Sequence, residues 1–112
     1  MKIVATLLSG LLLALSASAN EPAAAAKPDL AKGGTIASNV CAACHTADGS
    51  RGSPANPILQ GQHADYLVKQ LTEFKSGKRK NAVMSGMAAP LSEEDIRNVA
   101  AFYASKTAKP GF

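Results

Sequence analysis

Aromatic side chains are scarce in this chain of 112 residues, which has no tryptophan, two tyrosines and three phenylalanines. A short domain buries a modest fraction of its surface, so with so few large side chains the polypeptide alone makes a thin core. Histidine and cysteine are equally sparse, with two of each, at positions 45 and 63 and at 41 and 44. A structural zinc site takes four nitrogen or sulfur ligands, and beyond Cys41, Cys44 and His45 this chain has only the distant His63 to offer. No internal repeat is visible, so a single domain is expected. Acidic residues are also the minority, eight against twelve lysines and arginines, for a formal net charge of +4. The basic residues have no interleaved aromatics, which argues against nucleic-acid binding.

Long apolar runs are confined to the start. Met1-Lys2 is a short basic opening, residues 3–15 are an apolar run, and Ala17-Ser18-Ala19 is a small-x-small cleavage site. Together they predict a secretory signal peptide over residues 1–19, removed after Ala19; left uncleaved, it would act as a membrane tether. The run is shorter than the roughly 20 residues that span a bilayer, so no integral span is expected in the mature form. Residues 20–28 are Ala-rich with Pro22 and Pro28 and read as a disordered leader, leaving residues 29–112 as the folded domain. Export of this kind places the protein in a bacterial periplasm, which leaves it a net charge of +3 once Lys2 is removed.

What the chain does have is Cys41-Ala42-Ala43-Cys44-His45, which commits both thiols to one site. Cys-x-x-Cys-His is the spacing for attaching a c-type haem, with the cysteines forming thioethers and the histidine turning onto the iron. A thioredoxin-like dithiol would follow a strand, and no β-branched or alternating run precedes Cys41. A plain disulfide is the remaining alternative in an exported protein. A haem would also supply the apolar mass that the composition lacks.

The patterning is all-α, with three main helices and loops wrapped around one haem. Asp29 can cap a first helix carrying Leu30, Ile36, Ala37, Val40 and Cys41. The second spans 64–76, with Leu67, Leu71 and Phe74 on one side, Lys69 four residues before Glu73 on the other, and Gly77 past its end. Ser92 and Asp95 form an N-cap pair for the third, and Leu91 and Ile96 stand at staple positions. Glu93, Glu94 and Asp95 complement its dipole, and Ile96, Val99, Ala100 and Tyr103 form its buried stripe up to about residue 106. Residues 46–62 and 78–90 are rich in Gly, Pro, Ser and Asn and read as loops.

The order of motifs carries a family resemblance. Gly34, then the haem pentapeptide, Pro57-Ile58-Leu59-Gln60-Gly61-Gln62, Tyr66-Leu67-Val68-Lys69-Gln70-Leu71, Gly77-Lys78-Arg79, Met84-Ser85-Gly86-Met87 and Leu91-Ser92-Glu93-Glu94-Asp95-Ile96 resemble class I cytochrome c. Within that class the chain is most similar to one half of the tandem diheme bacterial cytochromes of the c-four type and to their single-domain relatives. The second half has no counterpart here, which removes the expectation of haem-to-haem transfer within the chain.

The resemblance implies that Cys41 and Cys44 hold the porphyrin covalently, that His45 is the proximal iron ligand, and that a methionine before the last helix is the distal one. Counting back seven residues from Leu91 reaches Met84, leaving Met87 to pack against the ring; read without the resemblance, both are gap-filling core methionines. Pro57 matches the proline whose carbonyl accepts a hydrogen bond from the proximal imidazole, or it is simply a loop proline. Gly34 and Phe102 resemble the pair where first and last helices cross, with Gly33 as the alternative. His63 reads as a surface or capping residue, and Tyr66 and Tyr103 as core residues with anchored hydroxyls.

Lys75, Lys78, Arg79 and Lys80 cluster ahead of the methionines. They form a patch able to steer an acidic redox partner, or a solvated helix end, with Arg79 as a candidate propionate contact. The expected function is that of a one-electron carrier, not an enzyme, cycling between Fe(III) and Fe(II) in a respiratory chain between a quinol-oxidising complex and a terminal oxidase. The alternative is a haem protein with a labile distal ligand that binds a gas or reduces peroxide.

Overall fold

The computed structural model describes residues 26–50 and 52–109. The expected signal segment and most of the expected leader lie outside these residues. The described part is helical: α1 (Leu30–Ile36), α2 (Ala42–His45), α3 (Ala64–Ser76), α4 (Ala82–Ala88) and α5 (Glu93–Ala104).

Asp29 starts α1 as the sequence predicts, its carboxylate accepting from the N–H groups of Ala31 and Lys32 at 2.9 and 3.1 Å. The helix does not run uniformly to the haem motif. It widens into a π-helical turn over Ala37–Cys41 before closing as α2. Such a turn takes in an extra residue and re-aims whatever follows it, and here the haem pentapeptide follows. Leu30, expected on the apolar side, is 48% exposed, because the buried face of α1 begins one turn later, at Gly33.

α1 crosses α5 at the two glycines. A Cβ on Gly33 would stand 2.1 Å from the Asn98 carbonyl oxygen, and one on Gly34 would stand 3.0 Å from the Phe102 ring. Gly34 does meet the phenylalanine, but the tighter constraint belongs to Gly33, which packs backbone against backbone.

α3 ends on Gly77, which adopts φ +80° and returns its N–H to the Phe74 carbonyl at 3.3 Å. Leu67 and Phe74 are buried on one face, and Lys69 meets Glu73 at 3.9 Å on the other. α5 carries the reciprocal cap between Ser92 and Asp95, with both bonds at 3.0 Å. Ile96, Val99, Ala100 and Tyr103 are all buried, with Ala37 and Leu67 packed into the same core.

The segment 78–90, read as a loop, contains α4. Seven residues interrupted by Gly86 are too few for a helix to stand in isolation, even with alanines and methionines among them. The helix stands because Asn81 caps it, accepting from Met84 N–H at 3.0 Å, and because Ala88 is fully buried at its end where it packs along α3. Residues 46–50 and 52–62 are a loop as expected, with only an isolated bridge between Ser53 and Asn56 among the described residues.

Candidate functional site

The helices and the loop enclose a cavity of about 620 Å³, within the roughly 300–1,000 Å³ typical of cofactor sites. Cys41, Cys44 and His45 line it from the π-helical turn and α2, and Met84 and Met87 from α4. Leu67, Leu71 and Phe74 of α3 and Val99 and Tyr103 of α5 provide apolar wall.

His45 is buried, and its Nδ1 lies 2.8 Å from the Pro57 carbonyl oxygen. A carbonyl only accepts, so Nδ1–H donates to it, and Nε2 is the nitrogen left to ligate a metal. Asn56 braces the same turn by donating from Nδ2 to the Cys44 carbonyl at 3.0 Å. The two cysteines are not joined to each other. Burial pushes the Cys41 thiol above its ordinary value, partly opposed by a hydrogen bond from Tyr103. Tyr103 is in turn pushed well up by its own burial and by Cys41.

Arg79 also reaches the cavity wall. Its guanidinium stacks 4.5 Å over the Phe74 ring and donates to Gln70. The lysines of its cluster are not equivalent. Lys75 donates to the Leu91 carbonyl, tying α3 to the start of α5, and Lys78 pairs with Glu73 at 3.5 Å. Lys80 is exposed. His63 is exposed and is not among the residues lining the cavity, whereas Tyr66 lines it with a half-exposed ring.

Two thiols and an imidazole share one apolar cavity with two thioethers. Among the described residues there is no cluster of His, Cys, Asp or Glu able to hold a bare metal ion. This donor set fits a haem, with thiols for vinyl groups, soft and borderline donors for iron and apolar walls for the ring. The arrangement is that of a haem-binding, all-helical domain. The chain belongs to the cytochrome c family, whose sequence profile matches residues 30–106.

It is 44% identical over 75 residues to cytochrome c4 of Thiocapsa roseopersicina, a match covering 67% of this chain and 38% of that protein. It is 49% identical over 65 residues to the thiosulfate dehydrogenase electron acceptor of Thiomonas intermedia strain K12, covering 56% of this chain and 30% of that one. The crystal structure of reduced recombinant cytochrome c4 from Pseudomonas stutzeri superposes with a TM-score of 0.69 at 36% identity, over 77% of this chain and half of that one. The chain thus spans about two fifths or less of the length of these curated relatives. It is a c-type cytochrome of class I related to the c4 type, with covalently attached haem c.

Asn56 and α4 as a helix escaped the sequence reading. Asn56 bonds a backbone carbonyl 12 residues away, and such a partner leaves no trace in composition.

Proposed function

We propose that this protein is a periplasmic one-electron carrier of a respiratory chain, exported by residues 1–19 and processed after Ala19. In this reading Cys41 and Cys44 hold haem c by thioethers, and His45 and Met84 are the axial ligands. The observation that carries it is the 2.8 Å contact of His45 Nδ1 with the Pro57 carbonyl in a cavity that Met84 also lines. Haem c supplies one-electron cycling between Fe(III) and Fe(II). The protein's part is to keep both axial positions filled, so that electrons pass and small molecules do not bind. The Pro57 carbonyl, accepting from Nδ1–H, orients the ring and raises the basicity of Nε2 toward the iron. The Met84 sulfur, neutral and soft, favours Fe(II) and raises the potential. Arg79, held by Phe74 and Gln70 at the cavity wall, would be the residue to contact a propionate.

Lys75, Lys78, Arg79 and Lys80 form the docking patch for acidic redox partners, with a quinol-oxidising complex as donor and a terminal oxidase as acceptor. The 49% identity to a protein named for accepting electrons from thiosulfate dehydrogenase supports a second donor, a thiosulfate-oxidising enzyme. Stopped-flow reduction by each donor distinguishes the two.

The ligation is tested on the purified protein. Acid-acetone should leave the haem with the polypeptide, the ferric form should be low-spin with the weak charge-transfer band of sulfur ligation, and the ferrous form should resist carbon monoxide. Avid carbon monoxide binding would establish the gas-binding or peroxide-reducing alternative instead.

A further inference from the structure

His45 is followed by Thr46, whose backbone sits at φ 56° and ψ 145°. This is a region that a β-branched residue avoids and glycine tolerates, and Thr46 is the one non-glycine residue with positive φ among those described. A strained residue persists only where its surroundings over-determine it, and Thr46 is held by two hydrogen bonds. Its carbonyl accepts from Gln60 Nε2 at 3.1 Å, and its hydroxyl donates to the Ser50 carbonyl at 2.5 Å. Its methyl leaves no room for a Cβ on Gly52, which would stand 2.6 Å away.

Of these contacts the one to Gln60 crosses the loop. Gln60 is 6% exposed, and its Oε1 is buried with no hydrogen-bond partner among the described residues. Burying an amide with half its hydrogen-bonding capacity unused is unfavourable, and an apolar side chain of similar size would avoid that cost. Gln60 lies three residues after Pro57, and the N–H of the next residue, Gly61, donates to the Tyr103 carbonyl of α5 at 3.0 Å. The Gln60 side chain therefore joins the segment that supplies the acceptor for His45 to the residue at which the chain leaves His45.

We propose that Gln60 is a positioning residue for the proximal ligand: by holding Thr46 in its left-handed turn, it fixes the His45 ring on the Pro57 carbonyl. The inference rests on His45 as the proximal ligand. Losing the hold lets Thr46 relax to a negative φ, which turns the end of α2 and lengthens the bond from His45 Nδ1–H to Pro57. A less basic imidazole stabilises Fe(III) less, so the potential moves to more positive values.

The test uses the holoprotein. Gln60→Met keeps an unbranched side chain of similar length and lacks the donor. The potential should shift positive, and the His45 Nδ1 proton, followed by NMR in the ferrous protein, should exchange faster with solvent. Adding Thr46→Gly should return both toward wild type, because glycine takes the turn without being held; the double variant also serves if Gln60→Met alone folds poorly. A lower melting temperature in Gln60→Met with unchanged potential and proton exchange would make Gln60 a packing residue and overturn the proposal. Failure of Thr46→Gly to restore either readout would overturn it too. If His45 is not the ligand, the wild type itself lacks the ligated-imidazole signals, an outcome separate from these.

Discussion

Met84 and Met87 stand three residues apart on α4, so helical geometry puts both on one face and both line the cavity. Position alone does not choose between them, but burial separates them: Met84 is half-buried, whereas Met87 is 45% exposed. Met84→Ala should abolish the sulfur charge-transfer band and lower the potential, since a neutral soft donor is lost. Met87→Ala should keep the band. Its cost in stability should be about 1 kcal/mol by urea unfolding, below the 2–5 kcal/mol of a buried methionine. The opposite pattern of bands would transfer the ligand role to Met87. Single residues were legible in the sequence where the chemistry is contiguous, as in Cys41 to His45. Pro57 was reached through resemblance, because its partner lies 12 residues away. Asn56 and Gln60 were not reached, since polar loop residues bonded to distant carbonyls look the same in sequence as solvated ones.

At the scale of elements, α5 and α4 mark the two ends of legibility. α5 states its start in side chains, Ser92 with Asp95, and its buried face in the spacing of Ile96, Val99 and Tyr103, and local and tertiary preferences agree. α4 is only seven residues long with Ser85-Gly86 at its centre, and only Asn81 announces it; packing on α3 supplies what so short a helix lacks by itself. The π-helical turn was equally hidden, because an inserted residue does not disturb the composition. The crossing of α1 and α5 lends itself to a direct measurement. At Gly33 an added methyl meets the Asn98 carbonyl at 2.1 Å, and backbone on both sides has to move. At Gly34 it meets only the edge of the Phe102 ring at 3.0 Å, which can tilt. Gly33→Ala should therefore cost about 3 kcal/mol or more and Gly34→Ala about 1 kcal/mol, read from denaturant midpoints of the holoprotein. Equal costs would mean that the two helices slide past each other more freely than their packing indicates.

Across the whole molecule, charge does two separable things. One holds the chain ends of the site together. Asp48, just past the haem motif, pairs with Lys109 at 3.2 Å, and Lys109 N–H donates to the Gly49 carbonyl at 3.1 Å. Hydrogen bonds from Ser50, and then Lys109, hold the Asp48 carboxyl down at about 2, below its ordinary 3.8. A carboxyl depressed by folding contributes stability that is present above its unfolded value and lost as pH falls through its folded one. Wild type should therefore exceed Asp48→Asn in urea midpoint at neutral pH, and the gap should close between about pH 4 and pH 2. A gap independent of pH would mean that the carboxylate's charge is irrelevant there.

The other role of charge faces outward. Lys75 is tied to the Leu91 carbonyl, Lys78 to Glu73 and Arg79 to Gln70 and the Phe74 ring, and Lys80 is exposed beside them. If the patch steers an acidic partner, the bimolecular rate should fall as salt rises, given a screening length of roughly 8 Å at physiological ionic strength. Lys80→Glu should flatten that dependence most. Lys78→Glu should flatten it as well, while also placing a second carboxylate beside Glu73. Neither reversal touches His45 or Met84, so the potential should stay near that of wild type in both. A rate that ignores salt in wild type and in both variants would reduce the cluster to a solvated end of α3, with Lys75 retained for the bond it makes to α5.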